Sequence, residues 1–145
     1  MIEMDTGIKV GDCMKTTLIT IDESASIFDT AKKMSDAKVG SLLVEKNGKI
    51  TGIITDSDLV RKCLAKKNTH CTVGEVATHP LVTIGPEMDL SEAARLMGTK
   101  KLRRLVVMQG NHTVGIISST DITKISPSLY DLIAQKQVLE RAARN

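Results

Sequence analysis

Aliphatic residues fall in short blocks along this chain, separated by polar and charged stretches. Leu18–Ile21 is a brief aliphatic run that reads as a strand. After Ser26, apolar residues at Ile27, Ala31, Met34 and later Val39 recur at helical spacing, with charge between them. Ser26 stands where an N-cap belongs and Asp29 at the third helical position, so a hydroxyl and an acid can each satisfy a free backbone amide of the other. Ser41–Glu45 is the next strand. Asn47-Gly48 follows as a hairpin turn, because both residues tolerate positive φ. Ile50–Thr55 is the return strand and Asp56–Leu64 a second helix. The predicted order is strand, helix, strand, strand, helix.

The same order then recurs. Residues 9–62 align without a gap on 72–125, at an offset of 63 (121 − 58 for the two Asp). Val10-Gly11-Asp12 returns as Val73-Gly74-Glu75, and Leu18-Ile19-Thr20-Ile21 as Leu81-Val82-Thr83-Ile84. Asp89 and Glu92 repeat the helix start of Ser26 and Asp29. The second turn is Gly110-Asn111, followed by a strand over Thr113–Ser118 and a helix over Ser119–Ile125. An internal duplication decides the fold before any single element does. The expected fold is α+β: two pseudo-twofold repeats, each β-α-β-β-α, packed sheet to sheet. The boundaries are 9–64 for the first repeat, 72–125 for the second and 126–145 for a C-terminal helical extension. That helix opens at Ser126-Pro127 and runs to about Ala143, with Leu129, Leu132, Ile133 and Leu139 on a partly apolar face.

Composition narrows the function. Phe28 and Tyr130 are the only aromatic residues, which argues against a base-stacking platform for single-stranded nucleic acid. The net charge of +3 is mild and its basic residues are dispersed, so nucleic acid is not an expected partner. Cys13, Cys63 and Cys71 form no C-x-x-C pair and read as reduced, packed thiols. His70 and His79 lie near Cys71 at a spacing that matches no usual zinc framework, so no metal site is expected. No apolar run approaches a membrane span and no signal-peptide pattern is present; a cytoplasmic location is the expectation.

The chemistry concentrates at Gly52-x-x-Thr55-x-x-Asp58 and its echo Gly115-x-x-Ser118-x-x-Asp121. Here a strand ends in a hydroxyl and turns straight into a helix, so that the hydroxyl and the first free helix amides point at one spot. A carboxylate on that first turn can accept from two vicinal hydroxyls, as one does for ribose in dinucleotide sites. The other reading is purely structural: Thr55 and Ser118 cap their helices and the acids complement the helix dipole.

Order, spacing and duplication together resemble a tandem pair of cystathionine-β-synthase-type (CBS) domains, a Bateman module. The matching pieces are the Val10–Met14 opening, the Leu18–Ile21 strand, the helix with Ala31 and Met34, Lys38–Val44, the Gly52–Leu59 turn and Lys101–Val107. The family's usual Pro before the last Val pair is replaced by Leu43 and Val106. The resemblance implies two clefts that bind adenosine-containing ligands: AMP, ADP, ATP or S-adenosylmethionine. Carried over, one cleft holds Thr55, Ser57 and Asp58 with Pro80, Leu81, Val82, Leu102, Arg103 and Arg104. The other holds Ser118, Thr120 and Asp121 with Thr17, Leu18, Ile19, Val39, Gly40 and Ser41.

Arg103-Arg104 stand where the other copy has Gly40-Ser41. Arg grips phosphate through charge-assisted, two-pronged hydrogen bonds. The Asp58 cleft is therefore expected to bind phosphate-bearing nucleotides better, with Lys38 a partial compensation in the Asp121 cleft. No Ser/His/Asp spacing, G-x-G-x-x-G or Gly-Lys-Ser/Thr loop suggests catalysis. The expected function is a non-enzymatic regulatory module, homodimeric, that binds an adenosyl ligand and passes its state to an unnamed protein target. The alternative is a protein-interaction scaffold that binds no ligand.

Overall fold

A computed structural model describes residues 5–129, 131, 133 and 134. Each repeat carries one three-stranded sheet. In the first, β1 (Thr20–Asp22) runs parallel to β2 (Ser41–Lys46), which pairs antiparallel with β3 (Lys49–Thr55). In the second, β4 (Thr83–Ile84), β5 (Arg104–Gln109) and β6 (His112–Ser118) repeat the order β4-β5-β6 and its register. A parallel pair needs a crossover between its strands. Helices α2 (Ile27–Ala37) and α5 (Leu90–Lys100) supply it. The fold is α+β, as the sequence predicts.

Local chemistry accounts for the elements. Asn47 (φ 53°) and Gly48 (φ 78°) both adopt the left-handed conformation that a tight hairpin demands. The Ser26 hydroxyl accepts from the Asp29 amide at 3.0 Å and starts α2. Asp89 starts α5 through the Ser91 amide, 2.8 Å from its carboxylate. The buried face of α2 is Ile27, Thr30 and Met34, whereas Ala31 is exposed. Thr30 is tolerated there because its hydroxyl donates to the Ser26 carbonyl at 2.8 Å. The first strand of each repeat is shorter than its aliphatic run, although Ile19 and Val82 still accept backbone hydrogen bonds from Leu43 and Val106. The predicted helix over Asp56–Leu64 splits into a short α3 (Asp56–Asp58) and a π-helical segment, Leu59–Leu64. Its counterpart α6 (Ser119–Ile125) is α-helical throughout.

The chain divides into two compact units that do not coincide with the sequence repeats. One is residues 18–81; the other joins the chain up to Thr17 with the chain from Val82 onward. Each repeat's opening segment thus belongs to the unit that holds the other repeat's sheet. Short helix α1 (Val10–Cys13) lies in the second unit, where Lys15 and Ile116 exchange backbone hydrogen bonds at 2.9 and 3.0 Å. Helix α4 (Val73–Val76) lies in the first, where Thr78 and Ile53 make the same exchange at 2.9 and 3.2 Å. Glycine permits both approaches: a Cβ on Gly52 would stand 2.9 Å from the Thr78 carbonyl oxygen, and one on Gly115 2.9 Å from that of Lys15.

Each unit has its own core. Ile27, Met34, Leu42, Val44, Ile54, Leu59, Cys63 and Val73 fill the first. Val10, Leu90, Met97, Leu105, Ile117 and Ile122 fill the second, joined by Leu129 and Ile133 of the C-terminal extension. Burying a side chain of this size contributes about 1.5–3 kcal/mol. Residues 127–129, 131, 133 and 134 are helical, as predicted. Leu132, Leu139 and the predicted run to Ala143 lie outside the described residues. Among the described residues no helix is long and apolar enough to cross a membrane.

Candidate functional site

The two hydroxyl–acid corners are built alike. Thr55 ends β3 and caps α3: its hydroxyl accepts from the Asp58 amide at 3.1 Å, while the Asp58 Oδ2 accepts from the Thr55 amide at 3.0 Å. Ser118 and Asp121 repeat both contacts at the same distances. Thr55 and Ser118 therefore both cap their helices. One oxygen of each acid is engaged in the cap; the other faces a lysine. Asp58 Oδ1 is 3.2 Å from Lys62 Nζ, one helical turn on, and Asp121 Oδ1 is 3.8 Å from Lys15 Nζ. The carboxylates are nearly buried, with side chains 14% and 10% exposed, while the lysines are 44% and 68% exposed. A long exposed side chain can swing aside and leave that second oxygen to another donor.

The strand ladder sets what lies beside each corner. Arg104 pairs with Ser118 across β5 and β6, and the Ser119 amide donates to the Arg103 carbonyl at 2.8 Å. In the other unit Ser41 pairs with Thr55, and the Asp56 amide donates to the Gly40 carbonyl at 2.9 Å. Arg103 and Arg104 thus flank the Ser118 corner of their own repeat, and Gly40 and Ser41 flank the Thr55 corner. Reading the sequence placed the arginines with Thr55, Ser57 and Asp58, which belong to the other compact unit.

A cavity of about 320 Å³ opens at the Ser118 corner. It is lined by Leu102, Arg103, Arg104, Ser118, Ser119, Thr120, Ile133 and Ala134. Its lining residues carry two guanidinium groups, three hydroxyls and aliphatic side chains, and its volume lies at the lower end of the small-ligand range. Of the predicted residues, Leu102, Arg103, Arg104, Ser118 and Thr120 meet here, and Asp121 holds Ser118 in place. Val39 leads to the Gly40–Ser41 edge beside Thr55, while Ser57 and Pro80 are exposed in the 18–81 unit. Leu81, Leu18 and Ile19 are half-buried in that unit; Thr17 (exposed) and Val82 (half-buried) belong to the other. Sequence reasoning missed Ser119, Ile133, Ala134 and both lysines. Only Lys62 carried a signal, its i+4 spacing from Asp58.

Nearby titrating groups respond to the same charges. Burial, with the negative charges of Asp12 and Asp121, pushes the Cys13 thiol up from its ordinary value. His70 and His112 are exposed. Among the described residues, no three His, Cys, Asp or Glu side chains gather into a group that could hold a metal ion.

Two tandem repeats, each a three-stranded sheet whose last strand turns through a hydroxyl–acid cap into a helix, define a paired α+β module. The chain belongs to the CBS domain family, which matches residues 10–65 and 73–128. It is 32% identical over 114 residues to the CBS domain-containing protein YhcV of Bacillus subtilis, covering 78% of this chain and 81% of that one. Among solved structures it resembles the hexameric CBS-CP12 protein from bloom-forming cyanobacteria: TM-score 0.74, 32% identity, 79% of this chain and 66% of that chain. It also resembles the CBS domain pair of protein MJ0100, solved in complex with 5′-methylthioadenosine and S-adenosyl-L-methionine: TM-score 0.75, 26% identity, 83% and 97% coverage.

Proposed function

We propose that this CBS pair is a regulatory module that binds a phosphate-bearing adenosine compound of the AMP, ADP or ATP class and performs no chemistry on it. The carrying observation is the 320 Å³ cavity, in which Arg103 and Arg104 stand beside the Ser118–Thr120 hydroxyls. Two guanidinium groups suit a phosphate, since charge-assisted hydrogen bonds are about twice as strong as neutral ones. Leu102, Ile133 and Ala134 offer an apolar face to a purine ring. The second Asp121 oxygen, freed by displacement of Lys15, suits ribose hydroxyls. The adenosyl ligands of the MJ0100 pair support the ligand class. At the Thr55 corner, where Gly40 and Ser41 replace the arginines, the fitting ligand is an adenosyl compound without phosphate.

This assignment reverses the allocation drawn from the sequence, which gave phosphate to the Asp58 cleft. The strand pairing of Arg104 with Ser118 favours the reversal. Binding would act on a partner protein, or on a second copy of this chain, through unequal affinity for two arrangements of the module.

Calorimetric titration of the wild type and Arg104→Ala with AMP, ATP and 5′-methylthioadenosine tests the reading. AMP and ATP affinity should fall at least about tenfold in the variant, the loss expected for one charged hydrogen bond. Affinity for 5′-methylthioadenosine, which has no phosphate, should hold. Equal nucleotide affinity in the two proteins, or no binding by either, refutes the site.

A further inference from the structure

Cys63 and Cys71 are brought together in the core of the 18–81 unit. Their Sγ atoms are 3.9 Å apart, and the residues are 0% and 7% exposed. Cys63 lies on the π-helical segment that continues from α3, and Cys71 lies in the connector two residues before α4. The connector folds back between them: the Asn68 amide donates to the Cys63 carbonyl at 2.8 Å, and the Cys71 thiol donates to the Asn68 carbonyl at 3.5 Å. Just beyond, the Val73 amide donates to the Ala25 carbonyl at 2.9 Å, so Cys71 is held from both sides. A disulfide has an S–S distance of about 2.05 Å, so closing the pair needs a movement of about 2 Å. Cys13, the third thiol, belongs to the other unit.

We propose that Cys63 and Cys71 form a modification site: a dithiol that a hydroperoxide oxidises to an intramolecular disulfide, tying the Ala65–Thr72 connector to the helix that leaves the Thr55–Asp58 corner. Cys71, the more accessible of the two, reacts first. Its thiolate attacks one peroxide oxygen and the O–O bond breaks. Cys71 becomes a sulfenic acid, and the departing hydroxide takes up the proton that the thiol lost, forming water. The Cys63 sulfur then attacks the sulfenic sulfur. The S–S bond forms, the S–O bond breaks, and the Cys63 proton leaves with the hydroxyl as a second water. Two thiols are oxidised by two electrons and one hydrogen peroxide is reduced.

The surroundings set the pace. Burial first, then the hydrogen bond and charge of Cys71 and the charge of Asp58, push the Cys63 thiol up to about 11, against the pull of Lys62. The thiolate is the nucleophile, so bond closure is slow near neutrality and speeds up about tenfold per pH unit while the thiolate is scarce. The site responds to sustained peroxide rather than to a brief pulse.

The test treats the reduced full chain with hydrogen peroxide, then denatures it and counts thiols. The count should fall from the three of the reduced chain to one. The mass should drop by about 2 Da, as loss of two hydrogens requires. Digestion should release Cys63 and Cys71 peptides linked within one chain, and dithiothreitol should restore all thiols. Cys13→Ser, which leaves the pair intact, should lose both remaining thiols at the wild-type rate. Cys63→Ser should accumulate a Cys71 sulfenic acid that dimedone traps. Links involving Cys13, links between chains, or a pair still titratable after Cys13 has been oxidised would each overturn the proposal.

Discussion

Thr55 and Ser118 each accept from the amide three residues on, and Asp58 and Asp121 return the contact. The corner that would hold a ligand thus already holds a helix start. That double role explains why the motif is legible: the hydroxyl, the acid and their three-residue interval are local requirements of the cap. What each acid meets with its other oxygen is not local in the second copy, where Lys15 is distant in sequence from Asp121. Asp89 gives the clearest prediction at this scale. Burial opposes its charge. Hydrogen bonds donated by the Ser91 hydroxyl and amide and by the Thr6 amide outweigh that opposition and hold its carboxyl well below the usual carboxylate range. A folded-state pKa depressed in this way stabilises the fold at every pH above the unfolded value of about 3.9, and the stabilisation fades as pH falls through the folded value. Asp89→Ala should cost about 1 kcal/mol at pH 7, as loss of an N-cap does. Urea denaturation should show that difference constant above about pH 5 and shrinking below about pH 4. A difference that grows on acidification would contradict the role.

Strands and crossover helices were readable because period and turn chemistry are properties of short segments. The Asn47-Gly48 turn, the Ser26 cap and both hairpin strands follow from residues within reach of each other. Exchange of the opening segments was not readable, since aligned repeats look the same whichever sheet their openings join. The π-helical turn at Leu59–Leu64 was equally silent, for its apolar spacing suits an α-helix as well. Gly115 tests the exchange. It is buried, and a side chain there would meet Met14 Sδ as well as the Lys15 carbonyl. Gly115→Val should destabilise the protein by about 1–3 kcal/mol through overpacking. It should also speed hydrogen exchange at the Lys15 and Ile116 amides, which bond each other's carbonyls. Wild-type stability and exchange would show that the segment after α1 is not held to β6 by that contact.

For the whole molecule, the duplication specifies fold class and family, because order and spacing recur over most of the chain. Allocation of the arginines was harder. Arg103 and Arg104 are marked by their contrast with Gly40 and Ser41, but their neighbour across the strand ladder, Ser118, follows from a register that no short motif carries. The wall from Ile133 and Ala134 depends on how the C-terminal helix docks, which Leu129 and Ile133 decide by burial rather than by motif. Nucleotide binding at the Arg104–Ser118 cavity is the core of the proposed function. Backbone amide NMR of the full chain titrated with AMP tests it most directly. The largest shift changes should fall at Arg103, Arg104, Ser119 and Thr120, saturating with the calorimetric affinity. Saturable shifts confined to other residues, or no shifts at millimolar AMP, would contradict it.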